Sequence, residues 1–162
     1  MSNYEAPHTT KVGHIHLKVS NLQRAIDFYS GILGFKVMLR MGDSAAFLSA
    51  GGYHHHIGLN TWDSLNGAPS APGTTGLFHV AFLYPSRKEL ADVVKRVLDH
   101  GIMLEGAADH GVSEAIYLRD PDQNGLELYV DRVPNEWPKD ENGDLLMYTR
   151  RLDVAALLQL AQ

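Results

Sequence analysis

Polar and apolar residues alternate over residues 12–19, with Ile15, Leu17 and Val19 on one face and His14, His16 and Lys18 on the other. Alternation of this kind predicts a half-buried strand. Ser20 and Asn21 then offer a helix start, and Leu22, Ala25, Ile26, Tyr29, Ile32 and Leu33 recur at helical spacing until Gly34 provides a stop. Strand-like runs follow at residues 36–40, 45–49 and 55–60, separated by Met41-Gly42-Asp43 and by Ala50-Gly51-Gly52.

Residues 66–75 (NGAPSAPGTT) are rich in Gly, Pro, Ala and Ser and read as a linker. After it the same order returns. Residues 77–83 read as a strand, and Ser86 with Glu89 forms the pattern of a capping box. Leu90, Val93, Val94, Val97 and Leu98 continue as an amphipathic helix that stops at Gly101. Strands are expected at 102–105, 114–118 and 126–130, with a turn over Asp120-Pro-Asp-Gln-Asn-Gly125. The chain therefore divides into a first βαβββ module (12–65), a linker (66–76), a second βαβββ module (77–132) and a C-terminal tail (133–162). Residues 152–160 of the tail look helical. His14 and His79 fall at matching places in the two halves, 65 residues apart by subtraction of their numbers.

At 162 residues the chain has enough length to bury a core without covalent staples, and it contains no cysteine. Thiolate nucleophiles, zinc–thiolate sites and iron–sulfur clusters are thereby excluded, and a reducing, cytoplasmic setting is expected. The formal net charge is -5 and no basic stripe gathers, so neither nucleic acid nor an anionic membrane is an expected partner. The first ten residues, MSNYEAPHTT, lack the cationic and apolar regions of a signal peptide, and no apolar run reaches the length of a membrane span. Nine histidines is the unusual count.

Position gives some of those histidines meaning. His14 and His79 each stand near the start of a first strand, on the face that the helix leaves open. Glu127 points opposite to Leu126, Leu128 and Val130, and a mid-strand carboxylate among apolar neighbours is costly unless it is paired or bound to a metal. Each residue alone reads as an exposed strand residue; together, in a repeated unit, they read as a site. Two histidines and a carboxylate with open positions suit non-haem Fe(II), with Mn(II), Zn(II) and Ni(II) as other divalent candidates.

Two segments, GHIHLKVSNLQRAIDFYSGILGF (13–35) and IYLRDPDQNGLELYVDR (116–132), resemble the vicinal oxygen chelate superfamily. That family includes glyoxalase I, extradiol catechol dioxygenases, fosfomycin-resistance enzymes and bleomycin-binding proteins. The resemblance implies an α+β fold of two tandem βαβββ modules forming a cupped mixed sheet around one metal site. It implies His14, His79 and Glu127 as the metal ligands, with His16 competing for the first role. Glyoxalase-like members carry a glutamate on the last strand of the first module, where this chain offers only His56 or Ile57.

Extradiol members carry a histidine pair there, one of which acts as acid–base, and a tyrosine ten residues before the glutamate ligand. His55 or His56, with Tyr117, therefore resembles the dioxygenase arrangement. The bland readings are an exposed histidine run for 54–56 and an ordinary strand aromatic for Tyr117. His110, in Asp109-His110-Gly111, could line the same mouth, although a loop histidine is more often solvated. Many extradiol enzymes use four modules, whereas this chain has two. The leading expectation is an Fe(II)-dependent ring-cleaving dioxygenase of a catechol-like aromatic substrate, using O₂ and assembled as a homodimer. A glyoxalase-like lyase or isomerase and a bleomycin-resistance-like binding protein without catalysis are the alternatives.

Overall fold

The structure, a computed structural model, describes residues 4–162, so the first three residues of the amino-terminal stretch read above lie outside the described part. The first module contains β1 (Ile15–Lys18), α1 (Leu22–Ile26), β2 (Lys36–Met41), β3 (Ala45–Ser49) and β4 (Ile57–Asn60). The second contains β5 (Val80–Leu83), α2 (Arg87–Asp99), β6 (Leu104–Asp109), β7 (Ser113–Arg119) and β8 (Gly125–Asp131). The tail adds β9 (Arg150–Arg151) and α3 (Val154–Leu158). Strand pairing gives two mixed sheets, ordered β1-β4-β3-β2 and β5-β8-β7-β6-β9, in place of one continuous sheet. In each, the module's first strand lies at the edge, parallel to its last strand.

Local chemistry explains most of the elements. Asn21 caps α1 by accepting from the Arg24 amide, and Ser86 caps α2 by accepting from the Lys88 amide. The second half of the capping box differs from expectation: the Ser86 hydroxyl donates directly to the Glu89 carboxylate. The first helix also departs from a plain α-helix. Its apolar stripe continues to Leu33, but residues Asp27–Ile32 adopt a π-helix, closed by the Leu33 amide on the Phe28 carbonyl (3.1 Å).

The alternation read from sequence sorts the faces. Leu17, Val19, Ile57, Leu59, Ile116, Leu118, Leu126 and Leu128 join residues of both helices in one buried cluster. Polar groups also tie the modules together. Tyr29 donates to the buried Asp120 (2.9 Å), and Asp122 accepts from the Ser20 hydroxyl (2.6 Å) and pairs with Arg24 (2.7 Å). Arg96 of α2 donates to the carbonyls of Gly31 and Ile32, groups at the end of the π-helix that lack partners inside it. The opposite face of each sheet stays open. No helix among the described residues is long and apolar enough to cross a membrane.

Candidate functional site

On the second sheet, Tyr117 lies directly across from Glu127 in the β7–β8 ladder, and Glu127 neighbours Ala81 of β5. His79 immediately precedes β5. Its position depends on Gly125: a Cβ there would lie 2.1 Å from the Phe78 carbonyl oxygen and 3.2 Å from the His79 Cα. Only glycine permits the start of β8 to press against this backbone. The result is His79 Nε2 at 2.9 Å from Glu127 Oε2, with Tyr117 Oη at 3.4 Å from Glu127 Oε1. His110 reaches the same group from the β6–β7 turn, its Nε2 2.7 Å from the Tyr117 hydroxyl. The sequence favours a solvated loop residue at His110; in the structure it instead joins the group around Tyr117.

Electrostatics follow from that packing. Burial first, then the Glu127 charge, raise the Tyr117 pKa, so the phenol stays neutral. Buried His79 Nδ1 has no hydrogen-bond partner, an exception of the sort that clusters where function constrains a side chain.

The first sheet gathers different residues. His14 packs on His55 with ring centroids 4.4 Å apart, and His55 packs edge-on to Phe47 at 5.0 Å. Burial lowers the His55 pKa, and the neighbouring His14, His54, His16 and His56 lower it further. His54 Nδ1 lies 2.8 Å from His55 Nδ1. His56 faces elsewhere: its Nδ1 accepts from the Ala50 amide (3.3 Å) and lies 3.0 Å from the Ser49 hydroxyl. His16 lies against Gly58, Phe47 and Trp62.

Register settles which residue of the first module corresponds to Glu127. Ile15 pairs with Ile57 as Val80 pairs with Leu126, so the counterpart of Glu127 is Gly58, not His56 or Ile57. His14 lies 44 residues before Gly58 whereas His79 lies 48 before Glu127, by subtraction of their numbers, so a constant spacing between the modules does not align this pair.

The structure thus brings together His79, Glu127 and Tyr117 in one group and His14 with His55 in another. Among the described residues, no three His, Cys, Asp or Glu side chains stand together as a metal-holding set. The His79–Glu127 pair nevertheless fits part of one. An imidazole nitrogen and a carboxylate oxygen 2.9 Å apart are donor types that a divalent ion would take side by side.

Comparison with known proteins agrees with this architecture. A model of the Glyoxalase/Bleomycin resistance protein/Dioxygenase superfamily matches residues 11–128. The chain is 40% identical over 152 residues to a catechol-2,3-dioxygenase from Bacillus subtilis (strain 168), covering 94% of this chain and 52% of that protein. It is 31% identical over 123 residues to biphenyl-2,3-diol 1,2-dioxygenase 3 from Rhodococcus globerulus, covering 76% and 64%. The chain therefore spans about half of the first relative's length and under two thirds of the second's. Among solved structures, a glyoxalase/dioxygenase from Nostoc punctiforme superposes with a TM-score of 0.67 at 21% identity, covering 82% of this chain and 99% of that one.

Proposed function

The chain belongs to the glyoxalase/bleomycin resistance protein/dioxygenase superfamily, and on that premise we propose that it is an Fe(II)-dependent extradiol dioxygenase of a catechol-like substrate. The observation that carries the reading is the apposition of His79, Glu127 and Tyr117 on one open sheet face. The catechol and biphenyl-diol dioxygenases among its relatives support it. His79 and Glu127 are two of the ligands. Bound there, Fe(II) would supply a redox-active centre able to hold a diol and O₂ side by side.

His14 is the third ligand in this reading. Within one chain it packs on His55, away from the His79–Glu127 group. A homodimer in which a second copy presents His14 and His55 to His79 and Glu127 completes the set. His55, held neutral by its surroundings, is then the group that takes and returns a proton at the diol. The His56 ring is occupied at the β3–β4 turn, which favours His55 over it for that role. Tyr117 orients one diol oxygen. The reaction breaks the ring C–C bond beside the diol and places both atoms of O₂ in the product, so no further reductant is consumed.

The test is oxygen uptake by anaerobically prepared, Fe(II)-loaded protein given a panel of catechols. The reading expects O₂ consumption with formation of a yellow ring-opened product. Turnover without O₂ that survives replacement of iron by Zn(II) or Ni(II) would replace it with a lyase. Ligand binding without turnover under either condition would replace it with a binding protein.

A further inference from the structure

His110 is held between two partners that only one of its neutral tautomers satisfies together. Its Nε2 lies 2.7 Å from the Tyr117 hydroxyl, and its Nδ1 lies 3.0 Å from the carbonyl oxygen of Tyr148 in the tail. A neutral imidazole has one N–H and one acceptor nitrogen, while a carbonyl oxygen only accepts. Nδ1 must therefore carry the hydrogen, which leaves Nε2 as an acceptor. Tyr117 then donates its single hydrogen to His110. The opposite tautomer would set a nitrogen lone pair against the Tyr148 oxygen at 3.0 Å. Its compensation would be the Thr149 hydroxyl, 3.4 Å from Nδ1 and beyond the usual 2.5–3.0 Å range for a strong hydroxyl bond. The Tyr117–Glu127 distance of 3.4 Å is long on the same measure.

The tail is well placed to impose this choice. The Tyr148 amide donates to the His110 carbonyl (3.3 Å), so the two residues are linked through both backbone and ring. Just beyond, Arg150 and Arg151 pair with Asp109 and Ala108 of β6. Next to His110, Gly111 (φ +81°) leaves no room for a side chain, since a Cβ would come within 2.6 Å of Pro138 and 2.8 Å of Tyr148. Further along, Leu152 and Leu157 are buried in the core. The carbonyl is fixed from both sides.

We infer that the C-terminal tail is a positioning element of the site: the Tyr148 carbonyl locks His110 as its Nδ1–H tautomer, and His110 turns the Tyr117 hydroxyl hydrogen away from Glu127. Tyr117 consequently offers the site a lone pair. An oxygen docking on it must bring its own hydrogen, as a diol hydroxyl does and an ether or oxyanion does not. This last step rests on the dioxygenase reading; the tautomer does not.

Long-range ¹H–¹⁵N correlation spectra of metal-free protein labelled at histidine nitrogens test it, recorded near pH 8.5 where an ordinary imidazole is neutral. The His110→Gln variant identifies the His110 signals. The expected result is a protonated Nδ1 and an unprotonated Nε2, retained in Tyr117→Phe because the tail alone holds the ring. A protonated Nε2 in the wild type overturns the inference. Loss of the preference in Tyr117→Phe assigns the control to Tyr117 and overturns the role of the tail. A second arm uses the iron-loaded enzyme with catechol. His110→Gln keeps an acceptor oxygen for Tyr117, so it should retain more of kcat than His110→Leu, by the roughly 2–10-fold that one hydrogen bond of about 0.5–1.5 kcal/mol represents. Equal kcat in the two variants contradicts the orientation of Tyr117. Absence of catechol turnover in the wild type removes the dioxygenase reading and leaves the spectra to decide the tautomer.

Discussion

Matched positions on the open faces of the two sheets carry different chemistry. The first module has His14, His16, Phe47 and Gly58 where the second has His79, Ala81, Tyr117 and Glu127, by the registers Ile15↔Ile57 with Phe47↔Gly58 and Val80↔Leu126 with Tyr117↔Glu127. In the first, the large ring on the edge strand fills the space over a glycine. In the second, an alanine on the edge strand leaves that space to a carboxylate. The backbone repeat is nearly the same, so side-chain volume at two positions decides which module presents a carboxylate. A fold can thus be duplicated while a carboxylate at this position is kept in one copy only.

The largest effect that would break this contrast is expected at Gly125. In Gly125→Ala, the new methyl collides with the Phe78 carbonyl oxygen at 2.1 Å, a backbone atom with no flexible end to move. The cost should reach the upper end of the about 1–3 kcal/mol typical of overpacking, and His79 should lose its place beside Glu127. Thermal melting and metal titration read the two effects. Unchanged stability and metal binding would show that the close approach is not needed. The matched position in the first module is His56, so that module makes no such demand.

Mixing experiments sharpen the comparison by asking whether the modules cooperate between chains. Two inactive variants, His14→Ala and Glu127→Gln, are combined at equal concentration and allowed to exchange subunits. If the site crosses the dimer, each mixed dimer carries one intact site, and about a quarter of wild-type activity should return. No recovery, with subunit exchange confirmed, would place all three ligands in one chain.

The His16–Gly58 contact predicts a smaller, coupled effect. A Cβ at position 58 would lie 2.9 Å from the His16 ring, which is partly free to yield. Gly58→Ala should cost about 1–2 kcal/mol alone and less in a His16→Ala background, giving a coupling of about 0.5 kcal/mol or more. Strict additivity of the two substitutions in denaturant melts would argue against the filled-space account.

The smallest expected change lies at the seam between modules. Tyr29→Phe deletes one bond to Asp120, whose Oδ2 still accepts from Asn124 Nδ2 at 2.9 Å, so the loss should be near 1 kcal/mol. Burial, with the Asp120 and Asp122 charges, raises the Tyr29 pKa well above its ordinary value, and burial pushes Tyr84 up to about 12. Above pH 10 the unfolded chain releases these protons before the folded one does. Stability contributed by the neutral phenols is therefore full below about pH 10 and declines as pH rises through the folded-state values. Denaturant melts at pH 9 and pH 11 should show a smaller alkaline loss in Tyr29→Phe than in the wild type; an equal or larger loss would contradict the assignment.

How much of this could be read from the chain depended on which interactions were local. The alternation of Ile15, Leu17 and Val19, the helix caps at Asn21 and Ser86, and the repeat itself are short-range patterns, and all correspond to observed elements. Tyr117 stood out only through the family resemblance, by its place ten residues before Glu127, and the structure adds that the turn between adjacent antiparallel strands brings the two to the same level. The π-helix at Asp27–Ile32 was not, since its apolar stripe is the same for either helix type. Nor was Gly58 as the counterpart of Glu127: that depends on a parallel register between strands about forty residues apart. The Tyr148 carbonyl left no signal at all, because a backbone oxygen is available at every position and only the path of the tail selects one.

On the dioxygenase reading, His79 and Glu127 would hold a divalent metal on the second module's open face. Elemental analysis of Fe(II)-loaded protein, compared among the wild type, His79→Ala, Glu127→Gln and His16→Ala, tests it most directly. Stoichiometric iron is expected in the wild type and in His16→Ala, with iron lost from the His79 and Glu127 variants while each stays folded. Full iron in His79→Ala and Glu127→Gln, or its loss from His16→Ala alone, would contradict it.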